Sequence, residues 1–180
     1  MLIDGSDIRK VRQLSTSLKA DKINVYIADA ELSDLRPLLG ERLYTDLLAN
    51  PTHTGDNGNY PDLLNGSTYT YSTFSYSHPG IKVILANYAY ARYRFFGSDV
   101  DTPFGVVQKQ TQDGFVVSTA RNREVYTALR KVALDQWDLT KAYLNRMAGD
   151  TNNKYEYWYF QRPPLDDDQR SIIINKITLS

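Results

Sequence analysis

HPGIKVILANYAYARYRFFGSDVDTPFGVVQK, residues His78–Lys109, is the stretch whose reading decides the fold. Its spacing predicts one long central helix over about 79–97. Pro79 falls in the first turn, where a missing N–H is not needed. At about 100° per residue, Ile81, Ile84, Leu85, Tyr88, Ala91 and Phe95 share one face, and Lys82, Asn87 and Arg94 lie outside it. Arg92 sits in the middle of that apolar face. A guanidinium there must snorkel, pair with a buried acid or point into a contact between copies of the chain. Asp99, Asp101 and an aspartate of the second helix of the chain are its candidate partners. Past Gly97, Thr102-Pro103-Phe104-Gly105 reads as a tight turn.

On the N-terminal side, Ser6 suits the cap of a short helix from Asp7 to about Leu14, with Ile8, Val11 and Leu14 on one side. A second helix is predicted from about Leu18 to Arg36, with Ile23, Tyr26, Ile27 and Ala30 as its apolar stripe. Pro37 ends or kinks it. After an apolar elbow, Leu38-Leu39-Gly40, a third helix runs from Glu41 to Ala49 and buries Leu43, Tyr44, Leu47 and Leu48. Residues 52–66 are rich in Gly, Asn, Asp and Pro and read as loop. STYTYSTFSYS, Ser67–Ser77, then alternates rings with small polar residues, which is a strand period. With a two-residue turn at Ser72-Thr73, Tyr71 faces Phe74 and Tyr69 faces Tyr76, and all four rings lie on one face.

On the C-terminal side, valines flank Asp113-Gly114, a strong turn dipeptide, and predict a second hairpin at about 106–118. A last helix over about Ala120–Ala148 places Val125, Leu129, Val132, Gln136, Leu139, Tyr143 and Met147 on its stripe, widened by Trp137 and Leu144. Its basic residues (Arg121, Arg123, Arg130, Lys131, Lys141, Arg146) read as a solvated face diluted by Glu124, Asp135 and Asp138. KYEYWYF, Lys154–Phe160, reads as an aromatic strand. An acidic run, Asp166–Asp168, precedes the β-branched SIIINKITLS, which needs a sheet edge or a neighbour to pair with. The expected architecture is therefore mainly α: a small helical bundle over 1–150 with two protruding β-hairpins, and an extended C-terminal arm over 151–180.

Composition narrows the function classes. At 180 residues the chain can bury a core without cross-links, and it has no cysteine, which excludes disulfides, thiolate catalysis and Cys-ligated zinc. Lys+Arg and Asp+Glu both number 21, which argues against a dedicated nucleic-acid binder. Fourteen tyrosines against six phenylalanines suit half-wet interfaces. The opening MLIDGSD matches neither a signal nor a transit peptide. No uncharged apolar run approaches the roughly 20 residues of a membrane span. The two histidines, His53 and His78, lack ligand-spaced partners; His78 is expected to cap the central helix. There is no Gly-x-Ser-x-Gly and no phosphate-binding glycine motif. Asp99 with Asp101 is the nearest thing to a carboxylate pair, but Asp favours turns for local reasons. No catalytic residue, metal or cofactor is expected, and an enzyme is the weakest reading.

Two stretches carry a resemblance. AELSDLRPLLGERLYTDLL, Ala30–Leu48, and the His78–Lys109 stretch together resemble an uncharacterised family of Bacteroidetes genomes and their tailed phages, in which the leucine–glycine elbow, the YAYARY helix and the DTPFG…K loop recur in this order. That family in turn looks like the head–tail connector (adaptor) proteins of tailed phages. The resemblance implies a structural virion protein. It would form a homo-oligomeric ring, usually of twelve copies, in the neck between capsid and tail after synthesis in the host cytoplasm. Its partners would be the portal and further neck or tail proteins, with double-stranded DNA passing through without sequence-specific contact and no membrane involved. The contact candidates are Tyr69, Tyr71, Phe74, Tyr76, Arg92, Phe104, Phe115, Tyr157, Trp158 and Ile173. The alternative is a carbohydrate- or surface-binding module, because the tyrosine-rich hairpin offers rings on which a sugar can stack.

Overall fold

In a computed structural model of the protein, the described residues are 1–55, 58–97, 99–102, 105–108, 118–148 and 154–159. The chain is mainly α, and among the described residues strands occur as short antiparallel pairs. The expected stripe of the central helix is buried: α6, Ile81–Phe96, encloses Ile81, Ile84, Leu85, Tyr88 and Ala91. Burial goes further round the helix than that stripe, to Ala86, Asn87 and Ala89. The small alanines let neighbouring helices approach from several sides. Gly80 precedes the helix at φ +83, a conformation side chains resist. A Cβ there would overlap the backbone nitrogen of Gly66, itself at φ +85, so the two glycines form one crossing point.

Around α6 stand α1 (Gly5–Val11), α2 (Ala20–Ala30) and α7 (Thr119–Ala148). Asp4, not Ser6, caps α1; its carboxylate accepts the Ser6 and Asp7 N–H groups, while the Asp7 carboxylate accepts the Asp4 N–H. The helix expected over Leu18–Arg36 is divided. After Ala30 the chain widens into a π-helical segment, Glu31–Leu35, and then resumes as α3, Arg36–Leu39. Pro37 does not stop this run, because it lies in the first turn of α3 where no N–H is missed. Gly40 at φ +76 makes the turn into α4, Glu41–Ala49. Leu43, Tyr44 and Leu47 are buried in α4 as expected, but Leu48 is exposed.

Residues 52–66 are not plain loop. Thr54–Gly55 (β1) pairs with Gly58–Asn59 (β2), and α5, Tyr60–Asn65, follows. The Asn59 side chain accepts the Asp62 N–H, Pro61 occupies the first turn, and Leu63 and Leu64 are buried. The first hairpin agrees with its reading: Ser67–Tyr71 (β3) pairs with Phe74–His78 (β4), with Tyr71 opposite Phe74 and Tyr69 opposite Tyr76.

Further along, Gly105–Gln108 (β6) pairs backwards with Asp99–Thr102 (β5), and the turn expected at Asp113-Gly114 lies, with residues 109–117, outside the described residues. Two expectations change. In α7, Val132 and Leu139 are exposed and Ala133 and Thr140 are buried, because the helix is rotated toward α6. KYEYWYF is not a strand: Glu156–Tyr159 forms a turn of helix, α8, entered through Tyr155 at φ +63. Trp158 folds back so that its indole N–H donates to Asn145 Oδ1 at 2.9 Å.

Candidate functional site

The best-built surface feature is the β3–β4 hairpin and its root. Arg146, on the last turn of α7, lies under it. Its guanidinium carbon is 3.7 Å from the Tyr76 ring centroid, 5.6 Å from Tyr71 and 5.9 Å from Tyr69. Arg146 Nη1 also donates to the Tyr69 hydroxyl at 2.8 Å. A cation over three ring faces holds the hairpin base by electrostatic attraction to the π clouds. Beneath it His78, the last residue of β4, stacks on Tyr143 at 4.0 Å between centroids, and Tyr69 meets Tyr143 edge-on at 4.9 Å. His78 is thus a buried strut of the hairpin and not a helix cap. Its Nε2 lies 3.2 Å from Ser67 Oγ, and its Nδ1 has no partner among the described residues. Burial pulls its pKa down to about 4, against a smaller opposite pull from Asp62.

A second layer of tyrosine anchors the root. Tyr155 Oη donates to the Asn59 carbonyl at 2.7 Å, so Tyr143 is the donor in the 2.9 Å bond between the two hydroxyls. Burial, reinforced by Tyr143, raises the Tyr155 pKa strongly and keeps it neutral. The outcome is a graded hairpin. Tyr69 and Tyr76 are half-buried on the root, while at the tip Tyr71 is 43% and Phe74 65% exposed.

The second feature is a buried ion triad. Asp34, in the π segment, is 3% exposed at its side chain. Its Oδ2 accepts from Arg92 Nε at 2.8 Å, and its Oδ1 accepts from Arg130 Nη1 at 2.6 Å. Arg92 therefore finds its partner within the predicted second helix, Leu18–Arg36. Arg130 also lies over the rings of Tyr88 and Tyr126. Burial opposes the Arg130 charge, but the Asp34 hydrogen bond outweighs it and its pKa is raised. One carboxylate thus ties the π segment, α6 and α7 together. The neighbouring Glu31 does the same locally, accepting from the Leu2 N–H at 3.1 Å and from the Tyr44 hydroxyl at 3.1 Å. Burial and then Glu31 push Tyr44 up to about 12.

Sequence reasoning missed three of these residues. By spacing, Arg130 and Arg146 fall on the solvated face, although each is beside a residue of the buried stripe, Leu129 and Met147. By the same spacing Asn87 falls outside the packed face. It is fully buried and satisfied: Oδ1 accepts from Arg12 Nε at 2.7 Å, and Nδ2 donates to Gln136 Oε1 at 2.8 Å and to the Val83 carbonyl at 3.0 Å. Of the other contact candidates, Trp158 belongs to the core, Tyr157 packs half-buried against it, and Phe104, Phe115 and Ile173 lie outside the described residues.

Among the described residues no group of His, Cys, Asp and Glu could hold a metal ion, and no helix is long and apolar enough to cross a membrane. A family model, described as a family of unknown function (DUF6712), matches residues 35–161, more than two thirds of the chain. The chain belongs to DUF6712. No curated protein and no solved structure matches it. In this DUF6712 chain the matched span contains the three described strand pairs, Arg92, Arg130 and Arg146, and begins one residue after Asp34.

Proposed function

We propose that this protein is a structural component of a tailed-phage particle, a ring subunit that connects the portal to the tail and surrounds the path of the DNA. The observation that carries the reading is the graded hairpin: a root immobilised by Arg146 and buried tyrosines, and a tip that offers Tyr71 and Phe74 to solvent. Two adjacent exposed rings on a stiff projection form an anchor for a protein partner, since aromatic side chains dominate such contacts. The resemblance of Ala30–Leu48 and His78–Lys109 to the connector-like family supports the same conclusion. So does a charge balance of zero, which suits a wall along which DNA must slide. The hairpin tip would meet the portal or the adjoining ring, and the helical body would form the ring wall.

The test is co-expression with a tailed-phage portal protein from the same genome, followed by affinity purification and electron microscopy. The expected result is a ring stacked coaxially on the portal. A chain that neither forms rings nor binds portal would overturn the proposal. A glycan-binding module, the second reading, would instead retain glycans on an array as an isolated protein and lose them when Tyr71 and Phe74 become alanine.

A further inference from the structure

α2 and α7 both pack on α6, at different ring contacts. Tyr26 of α2 meets Tyr93 at 5.8 Å, and Tyr126 of α7 meets Phe95 at 5.1 Å. The outer face of each helix carries an ordered pattern. On α2, Asp21, Val25 and Asp29 stand four residues apart and are all exposed, Val25 by 59%. Leu32, one turn on, is 52% exposed. On α7, Arg123, Thr127 and Lys131 stand at the same interval, all exposed, and line an open groove of about 630 Å³ with Ala120, Glu124 and Ala128. Among the described residues, Asp21, Asp29, Arg123 and Lys131 make no side-chain hydrogen bond or ion pair.

We infer that the α2 ridge of one copy seats in the α7 groove of the next. The two acids are about 12 Å apart along their helix axis, and so are the two bases. Val25 then meets Thr127 and Ala128, flanked on both sides by an opposite-charge pair. Ridge on ridge would oppose like charges. The contact joins two unlike surfaces, the head-to-tail kind that builds a ring or an open chain of copies. The inference rests on the ring reading for closure and names the surfaces that would build the wall.

The full chain has no cysteine, so disulfide trapping is clean. Under mild oxidation, Val25→Cys/Thr127→Cys is expected to give a ladder of covalent multimers. A mixture of the two single variants should stop at a 25–127 heterodimer. Charge reversal supplies the second measurement. Asp21→Lys/Asp29→Lys and Arg123→Glu/Lys131→Glu should each weaken self-association about tenfold or more by sedimentation, and mixing the two should restore it. Circular dichroism and melting checked on each variant separate unfolding from loss of contact. No ladder at the highest soluble concentration, or a mixture no better than its components, overturns the inference. If rings form on the portal without the 25–127 link, the proposed function stands and this contact fails. If the link forms but the portal is ignored, the contact stands and the proposed function fails.

Discussion

At the scale of single residues, Asp34 is the most consequential side chain, since two guanidiniums converge on a carboxylate withheld from water. Asp34→Asn leaves both cations short of their counter-charge and is expected to lower unfolding stability by roughly 3–5 kcal/mol. Arg130→Gln leaves Arg92 on the carboxylate and should cost less, about 1.5–3 kcal/mol; urea titration of the three proteins orders them. His78 predicts a pH dependence. Its ring titrates near 6.5 in the unfolded chain and near 4 when buried. Between those values the unfolded chain binds the extra proton, so its contribution is complete above pH 6.5 and is lost as pH falls toward 4. The slope is at most about 1.4 kcal/mol per pH unit. His78→Phe keeps the stack on Tyr143 and should flatten the denaturation midpoint between pH 6.5 and 4.5. An unchanged slope would assign the effect to other groups. Arg92 was legible as an anomaly from the sequence, because a cation in an apolar stripe demands a partner. Which acid answers it was not, since Asp34 lies 58 residues away.

At the scale of elements, the first hairpin was readable down to its register, because side chains alternate with a period of two and the turn allows one pairing. The pairing of β5 with β6 was not, because Asp99 and Asp101 read locally as loop residues. The π segment was equally hidden, since residue propensities do not distinguish a π turn from an α turn, although that wider turn is where Glu31 and Asp34 face inward. Arg146→Ala should release the root of β3–β4. The expected outcome is faster hydrogen exchange over residues 67–78, with global stability lowered by only about 1 kcal/mol. Gly80→Ala acts at the crossing with Gly66 and should cost roughly 1–3 kcal/mol from backbone strain alone, visible as a lower melting temperature.

At the scale of the whole molecule, stability and partner binding are expected to separate. Tyr71→Ser/Phe74→Ser removes the exposed rings of the hairpin tip and leaves Arg146 on Tyr69 and Tyr76, so its melting temperature should stay close to that of the wild type while portal capture is lost. A double variant that keeps full capture would move the partner contact elsewhere on the surface. The sequence by itself determined the mainly α architecture, the extent of α4 and α6, the first hairpin with its register, and the need for a partner at Arg92. All of these follow from short-range periodicity and steric rules written within a few residues. Only the tertiary structure decided that Asp34 joins Arg92 and Arg130, that Arg146 is clamped under the tyrosine hairpin, that Asn87 is interior, and that α7 turns Val132 and Leu139 outward. Each of those depends on which helix lies against which and at what rotation. A difference of about 100° in helix rotation, one residue along the chain, exchanges a buried stripe for an exposed one.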